Sequence, residues 1–300
     1  MEHAVGLIGV GIMGSAMARN MIAAGMAVIG FDIDATKLRS LTNMGGIAAP
    51  NPRSVAEQAD VIVTVLPSAE ALHNAIAGDV GLIAASNPRL VVAECGTFSL
   101  ANKERSRVAL ADAGTVMLDC AISGTGAQAL TRDLVVYASG DEAAYGRCLR
   151  AFDGFARARH YLGAFGNGSR MKYIANLLVA IHNVAAAEAM VLAQRAGLDL
   201  AMVYEMIRIG AGTSRMFEVR APMMVDGRYD HAVTSRIDLW QKDMRVIGDF
   251  AGELDCPVPL FTASAALYAA AMEQGLGAQD TAAVCAVLER AAGIDRTAAQ

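Results

Sequence analysis

The chain has little that could hold it together other than a packed core. Its five cysteines, Cys95, Cys120, Cys148, Cys256 and Cys285, are odd in number and contain no C-x-x-C pair. That spacing argues against a disulfide framework and a zinc ribbon, and the thiols read as buried and reduced, with no metal site. Basic excess is also missing: the net charge is −5, the opposite of a nucleic-acid footprint. No uninterrupted apolar run approaches the roughly 18–20 residues of a membrane span. The opening Met1-Glu2-His3 runs straight into an apolar, glycine-containing segment without the basic front of a secretory signal. The expectation is a cytoplasmic protein with neither a nucleic-acid nor a membrane partner.

Aromatic residues are scarce, at 5%, yet hydrophobic residues reach 54%, supplied largely by Ala, Met, Val and Leu. Such a composition suits closely packed helices, and 300 residues suffice for two domains with real cores. The first half alternates short β-rich runs with helical ones. Strands are expected at Ala4–Val10, Met26–Phe31, Val61–Leu66, Leu90–Ala93, Val116–Leu118 and Leu134–Tyr137, with helices at Met13–Ala23 and Ala35–Met44 among those between them. This alternation predicts an α/β domain with a doubly wound, mostly parallel sheet. Glycines cluster from Leu162 to Gly166, and Ser169–Ala196 then reads as one helix without Pro or Gly, closed by Gly197. The expected organisation is an N-terminal Rossmann domain over 1–163 and an all-α domain over 164–300, joined by a long interdomain helix. The tail after Gly293 is expected to fray.

Gly9-Val10-Gly11-Ile12-Met13-Gly14 fits G-x-G-x-x-G between a strand and a helix. The first glycine permits the tight turn, the second lets backbone approach a pyrophosphate, and the third lets helix and strand pack closely. A helix start offers free N–H groups and a positive dipole end, so Gly9, Gly11, Ile12, Met13 and Gly14 are candidate cofactor contacts. Asp32, at the end of the second strand, has the spacing of an acid that accepts the ribose hydroxyls and repels a 2′-phosphate. Ile33 and Asp34 follow rather than an arginine, which favours NAD over NADP. Asp34 reads as the cap of the next helix.

With three further segments in order, Asp119–Thr125, Gly163–Asn176 and Trp240–Met244, the chain resembles the β-hydroxyacid dehydrogenase family from end to end. That family includes 3-hydroxyisobutyrate dehydrogenase and tartronate semialdehyde reductase. The resemblance implies hydride transfer between NAD and a small 3-hydroxy acid, in a homodimer or homotetramer assembled through the helical domain. It implies that Ser123, Gly124 and Thr125 hold the substrate carboxylate, that Lys172 is the catalytic proton donor or acceptor, and that Asn176, one turn along the same helix face, orients it or the substrate. Lys242 would contact cofactor or substrate, and Asp243 would fix neighbouring groups. Leu66, Pro67 and Thr97 look like loops at the cofactor edge. A lysine ionises near pH 10.4, so Lys172 needs desolvation and a neighbouring charge such as Lys242 to act as a base at neutral pH. The chain departs from the family at Thr125, Gln128 and Arg132, aligned with glycines, and at Arg215, where tryptophan is usual. The rival readings are an imine reductase-like enzyme, whose members generally lack the catalytic lysine, and a non-catalytic dinucleotide-binding scaffold.

Overall fold

The computed structural model describes residues 4–231 and 233–296. Met1-Glu2-His3 therefore lies outside the described residues, as does the end of the tail expected to fray. The tail is tied down as far as Arg296, whose guanidinium donates to the carbonyls of Val225 (2.9 Å) and Met224 (2.5 Å) and pairs with Glu289.

The chain divides into two compact units, one ending at Lys172 and the other beginning at Tyr173. The first alternates β1 (Val5–Ile8), α1 (Ile12–Ala23), β2 (Val28–Phe31), α2 (Ala35–Asn43), β3 (Ile47–Ala48), α3 (Pro52–Ala56), β4 (Val61–Thr64), α4 (Ala69–Ala77), β5 (Val91–Glu94), α5 (Leu100–Asp112), β6 (Val116–Ser123), α6 (Gly126–Leu130), β7 (Val135–Ser139), α7 (Glu142–Phe155) and β8 (Ala158–Tyr161). The strands form one sheet in the order β3-β2-β1-β4-β5-β6-β7-β8. All pairs are parallel except β6 with β7. Both faces are covered, one by a core around Leu7, Met17, Met21, Phe152 and Phe155, the other by a core around Ile8, Ile62, Leu72, Ile76 and Leu110. Burial on both sides is why β1, and β5 as far as Ala93, read as apolar runs rather than alternating ones.

β6 runs five residues past the expected Leu118 because β7 returns antiparallel beside it, pairing Asp119 with Ser139 through to Ser123 with Val135. Two strands were not expected. β3 has only two residues, and β8 (Ala-Arg-His-Tyr) is polar because it closes an exposed edge.

The second unit continues α8 (Asn167–Arg195), which begins in the first, and adds α9 (Leu200–Arg208), α10 (Arg215–Asp226), α11 (Ile237–Glu253), α12 (Pro259–Glu273) and α13 (Val284–Ala291). Glycine and proline mark breaks between these helices: Gly227 closes α10 in the left-handed conformation (φ 67°), and Pro259 opens α12. The division between units lies inside α8, whose first turn hydrogen-bonds to the sheet. Length and mean hydropathy (1.6 over 18 residues) would allow α8 to cross a membrane, although polar residues interrupt it. Within the helical unit it is a core helix: buried Asn183 donates to Tyr268 Oη (2.9 Å) and to the Thr281 carbonyl (2.8 Å). Four of the five cysteines are buried as expected, and burial pushes the Cys148 thiol up to about 12, whereas Cys256 is exposed.

Candidate active site

Because β1, β2, β4, β5 and β6 run in one direction, their carboxyl ends share one edge of the sheet. The glycine turn follows β1, Asp32 follows β2, Leu66-Pro67 follows β4, Thr97 follows β5, and Ser123-Gly124-Thr125 ends β6. The chain reverses direction across the sheet between β1 and β4, and such a switch point opens a crevice for ligands.

The glycine turn fits a pyrophosphate. Gly9 has φ 95°, and a Cβ there would collide with the Val65 carbonyl. A Cβ on Gly14 would collide with the Gly9 carbonyl, so only glycine lets α1 start this close to β1. A Cβ on Gly11 would meet nothing within 4 Å, which leaves room for a ligand against the backbone. Each of α2 to α7 is capped at its N-terminus by a side chain (Asp34, Asn51, Ser68, Ser99, Thr125, Asp141), whereas Gly11 caps α1 with none. The first-turn N–H groups of α1, at Ile12, Met13 and Gly14, are thus left to an outside acceptor. Asp32 braces this turn. Its Oδ2 accepts from Val10 N–H (2.7 Å) and its Oδ1 from Asp34 N–H (2.9 Å). Asp34 caps α2 through Thr36 N–H, and that bond holds its carboxyl below the usual carboxylate range.

At the end of β6, Gly124 has φ 136° and Thr125 begins α6. Of the residues aligned with family glycines, Gln128 and Arg132 have side chains engaged in hydrogen bonds within the unit. Gln128 Oε1 accepts from Thr125 N–H (3.0 Å), while its amide donates to Asp133 (2.9 Å). Arg132 takes the left-handed backbone (φ 58°) that a glycine would adopt freely, and it donates to the Asp153 carbonyl (2.7 Å). In the helical unit, Arg215 pairs with Glu218 (2.8 Å) at the start of α10.

Lys172 lies in the second turn of α8 and is 8% exposed. Asn176 is one turn further along and 4% exposed; its amide donates to Asp243 Oδ2 (2.9 Å) on α11. Lys242 Nζ lies 3.5 Å from Asp243 Oδ1. Asn176, Lys242 and Asp243 are thus brought together in the helical unit, with Asp243 between the other two.

A buried ionic cluster in the first unit carries no motif in the sequence. Glu94 on β5 and Asp119 on β6 are register partners, so their carboxylates lie side by side. Like charges in that position repel unless a cation comes between them. Lys103 of α5 supplies it, with Nζ 2.6 Å from Glu94 Oε2 and 2.7 Å from Asp119 Oδ1, and all three side chains are fully buried. Lys103, Ser106 and Leu110 form the inward stripe of α5 at i, i+3 and i+7, a spacing that could have flagged the lysine as buried. The two carboxylates hold Lys103 well above the usual lysine range, so it stays protonated. Burial raises the Glu94 carboxyl, and Lys103 only partly offsets this. A carboxyl raised in the folded state favours folding below its unfolded value and loses that contribution as pH climbs through the folded value. Thermal melts of the wild type and Glu94→Gln from pH 4 upward should therefore differ in slope, with the wild type losing stability relative to the variant. Parallel curves would mean that the Glu94 carboxyl is not raised above that of a surface carboxyl.

Two family models cover the chain in sequence. Residues 4–163 match the NAD binding domain of 6-phosphogluconate dehydrogenase, and residues 166–288 match the NAD-binding domain of NADP-dependent 3-hydroxyisobutyrate dehydrogenase. The chain belongs to the β-hydroxyacid dehydrogenase family. L-threonate dehydrogenase of Escherichia coli (strain K12) is 32% identical to it over 94% of each chain. The crystal structure of 3-hydroxyisobutyrate dehydrogenase from Salmonella typhimurium is 32% identical and superposes with a TM-score of 0.86, covering 95% of this chain and 100% of that one. 2-(Hydroxymethyl)glutarate dehydrogenase of Eubacterium barkeri is 27% identical over 99% of this chain and 98% of that enzyme. This β-hydroxyacid dehydrogenase is therefore an NAD(P)-dependent oxidoreductase with an NAD-binding Rossmann domain.

Proposed function

We propose that the enzyme oxidises the hydroxyl of a small hydroxy acid, or reduces the corresponding carbonyl, with Lys172 moving the proton. The observation that carries this reading is a lysine only 8% exposed, on a helix start anchored to the sheet that also bears the glycine turn, one turn before the hydrogen-bonded Asn176. Bound NAD supplies the hydride acceptor for oxidation, and its reduced form the donor for reduction. Its pyrophosphate would lie against the uncapped start of α1 beside Gly9, Gly11, Ile12, Met13 and Gly14, with Leu66, Pro67 and Thr97 at the same sheet edge.

Ser123, Gly124 and Thr125 would receive the substrate carboxylate through a hydroxyl and backbone donors. Thr125 N–H is bonded to Gln128, so use of that donor requires the Gln128 side chain to turn aside. In oxidation Lys172 accepts the hydroxyl proton as the carbinol hydrogen leaves as hydride; in reduction it returns the proton to the carbonyl oxygen. Asn176 steadies the substrate or Lys172 and is itself steadied by Asp243, while Lys242 contacts cofactor or substrate. The relatives' names put L-threonate and 3-hydroxyisobutyrate first among acids to assay. The test is an absorbance screen of these and other three- to five-carbon hydroxy acids, each with NAD and with NADP. Reduction of NAD by at least one is expected; NADH binding with no acid oxidised and no semialdehyde reduced would favour a non-catalytic dinucleotide-binding role.

Asp32 would accept the ribose hydroxyls while bracing Val10, which makes NAD the preferred cofactor over NADP. Asp32→Ser should weaken NADH binding more than NADPH binding in fluorescence titrations; equal losses would reduce Asp32 to a brace of the turn. A homodimer or homotetramer assembled through the helical unit is part of this proposal. It is supported by exposed apolar side chains there, among them Leu192 (72%), Met206 (63%) and Ile209 (75%). The buried, unbridged thiols fit a cytoplasmic setting.

A further inference from the structure

We propose that Lys103 is a positioning residue for the chemistry of Lys172, because its buried ammonium joins the three segments of the first unit on which that chemistry depends. The inference rests on the proton-transfer role given to Lys172 above. Each carboxylate that Lys103 holds spends its remaining capacity on one of those segments. Glu94 Oε1 accepts from Gly96 N–H (2.6 Å), the residue before Thr97 in the loop after β5. Asp119 Oδ2 accepts from Ser169 N–H (2.7 Å) and Asp119 Oδ1 from Ser169 Oγ (2.9 Å), three residues before Lys172. Asp119 also lies in β6, the strand whose end carries Ser123. One ammonium therefore sets the loop after β5, the strand leading to Ser123 and the first turn of α8 relative to one another.

The start of α8 is built for this contact. Gly168 N–H donates to Ser139 Oγ (2.9 Å), and Ser139 Oγ lies 3.4 Å from Asp119 Oδ2. A Cβ on Gly168 would strike the Tyr137 carbonyl, so the helix reaches the sheet only because that residue has no side chain. Asp119 thus sets its carboxylate against the first-turn N–H groups and the positive dipole end of α8. Stability alone does not account for such an arrangement, because well-packed apolar residues of similar volume generally serve a core as well or better than buried ions. What the ions add is direction: short, charge-assisted bonds fix the angle and register at which α8 leaves the sheet. Lys172 lies within the first two turns of that helix, and a reacting group displaced by about 1 Å can lose on the order of a hundredfold in rate.

The test is a cycle of four proteins: wild type, Lys103→Met, Lys172→Ala and the double variant. Each is titrated with NADH to count folded sites and assayed with the fastest acid of the screen. Lys103→Met should lower kcat per NADH-binding site by about tenfold or more, with the dissociation constant of NADH changed by less than about threefold. In the Lys172→Ala background the same substitution should change kcat by less than about twofold, because residues acting through one another do not add. A fall of equal size in both backgrounds, or an unchanged kcat in Lys103→Met, would overturn the positioning role while leaving that of Lys172 intact. Normal turnover by Lys172→Ala alone would instead show that the lysine assignment had failed, and the positioning role with it. Should Lys103→Met not fold, Ser169→Ala carries the test, since it removes one bond to Asp119 without stranding a buried charge. Its kcat should fall by about three- to tenfold in the wild-type background and stay unchanged beside Lys172→Ala; full activity would refute the proposal.

Discussion

Lys172→Ala should leave a protein that binds NADH normally but turns over its hydroxy acid on the order of 10²–10⁴-fold more slowly, the usual loss when a general acid or base is removed. The expectation follows from where the side chain sits. Lys172 is 8% exposed and belongs to the helix turn that follows the Ser169 anchor on Asp119. Removing it takes nothing from the glycine turn or from the uncapped start of α1, so NADH affinity should be spared. The loss should fall on kcat more than on KM, because proton transfer strengthens at the transition state rather than in the bound ground state. Lys172→Arg, which keeps the charge but holds its proton far more tightly, should not restore the rate. The measurement is steady-state absorbance at the NADH band, normalised to titrated NADH sites. A variant within twofold of wild type would remove Lys172 from the chemistry.

Arg220→Met should cost about 3–5 kcal/mol of stability, the range found when one partner of a buried ion pair is removed. Arg220 and Asp280 are 2% and 0% exposed, 2.6 Å apart, in the helical unit. Asp280 also accepts from Thr234 N–H (2.8 Å), Ser235 N–H (3.2 Å) and Ala282 N–H (3.0 Å), and Arg220 donates to Thr234 Oγ1 (2.5 Å). The pair thus pins α10, the segment before α11 and the turn before α13 to one point. Methionine keeps much of the side-chain volume but strands the carboxylate away from water, and that desolvation dominates the loss. At roughly 2–4 °C per kcal/mol for a domain of this order of size, the melting temperature should fall by about 10 °C. Calorimetry decides the matter: a drop of less than about 2 °C would mean that water or another cation takes over the carboxylate.

The readable part of the site consisted of residues whose role is set by local backbone. Gly9, Gly11 and Gly14 are legible because a tight turn, an open approach and a close helix–strand contact each require the absence of a side chain, wherever the rest of the chain goes. Asp34 was legible as a cap for the same local reason. Lys172 was legible only through resemblance, since a helical lysine looks the same whether it is buried or solvated. Lys103 escaped because its partners, Glu94 and Asp119, meet through strand register, and register joins residues far apart in sequence. The Thr125 N–H bond to Gln128 was hidden for a related reason: it depends on a capping box that only the folded α6 defines.

By itself the sequence determined the alternation of strands and helices, the phosphate-binding turn, the helical second half and, through its ordered motifs, the family. Those are properties of hydrophobic period, glycine placement and local hydrogen bonding, all of which act over a few residues. The strand order, the antiparallel return of β7, the extra reach of β6 and the buried ionic clusters around Lys103 and Arg220 arise from the fold alone. These depend on which distant segments lie side by side. A charge survives out of water only where folding delivers its partner, and the local pattern of a chain does not record that delivery.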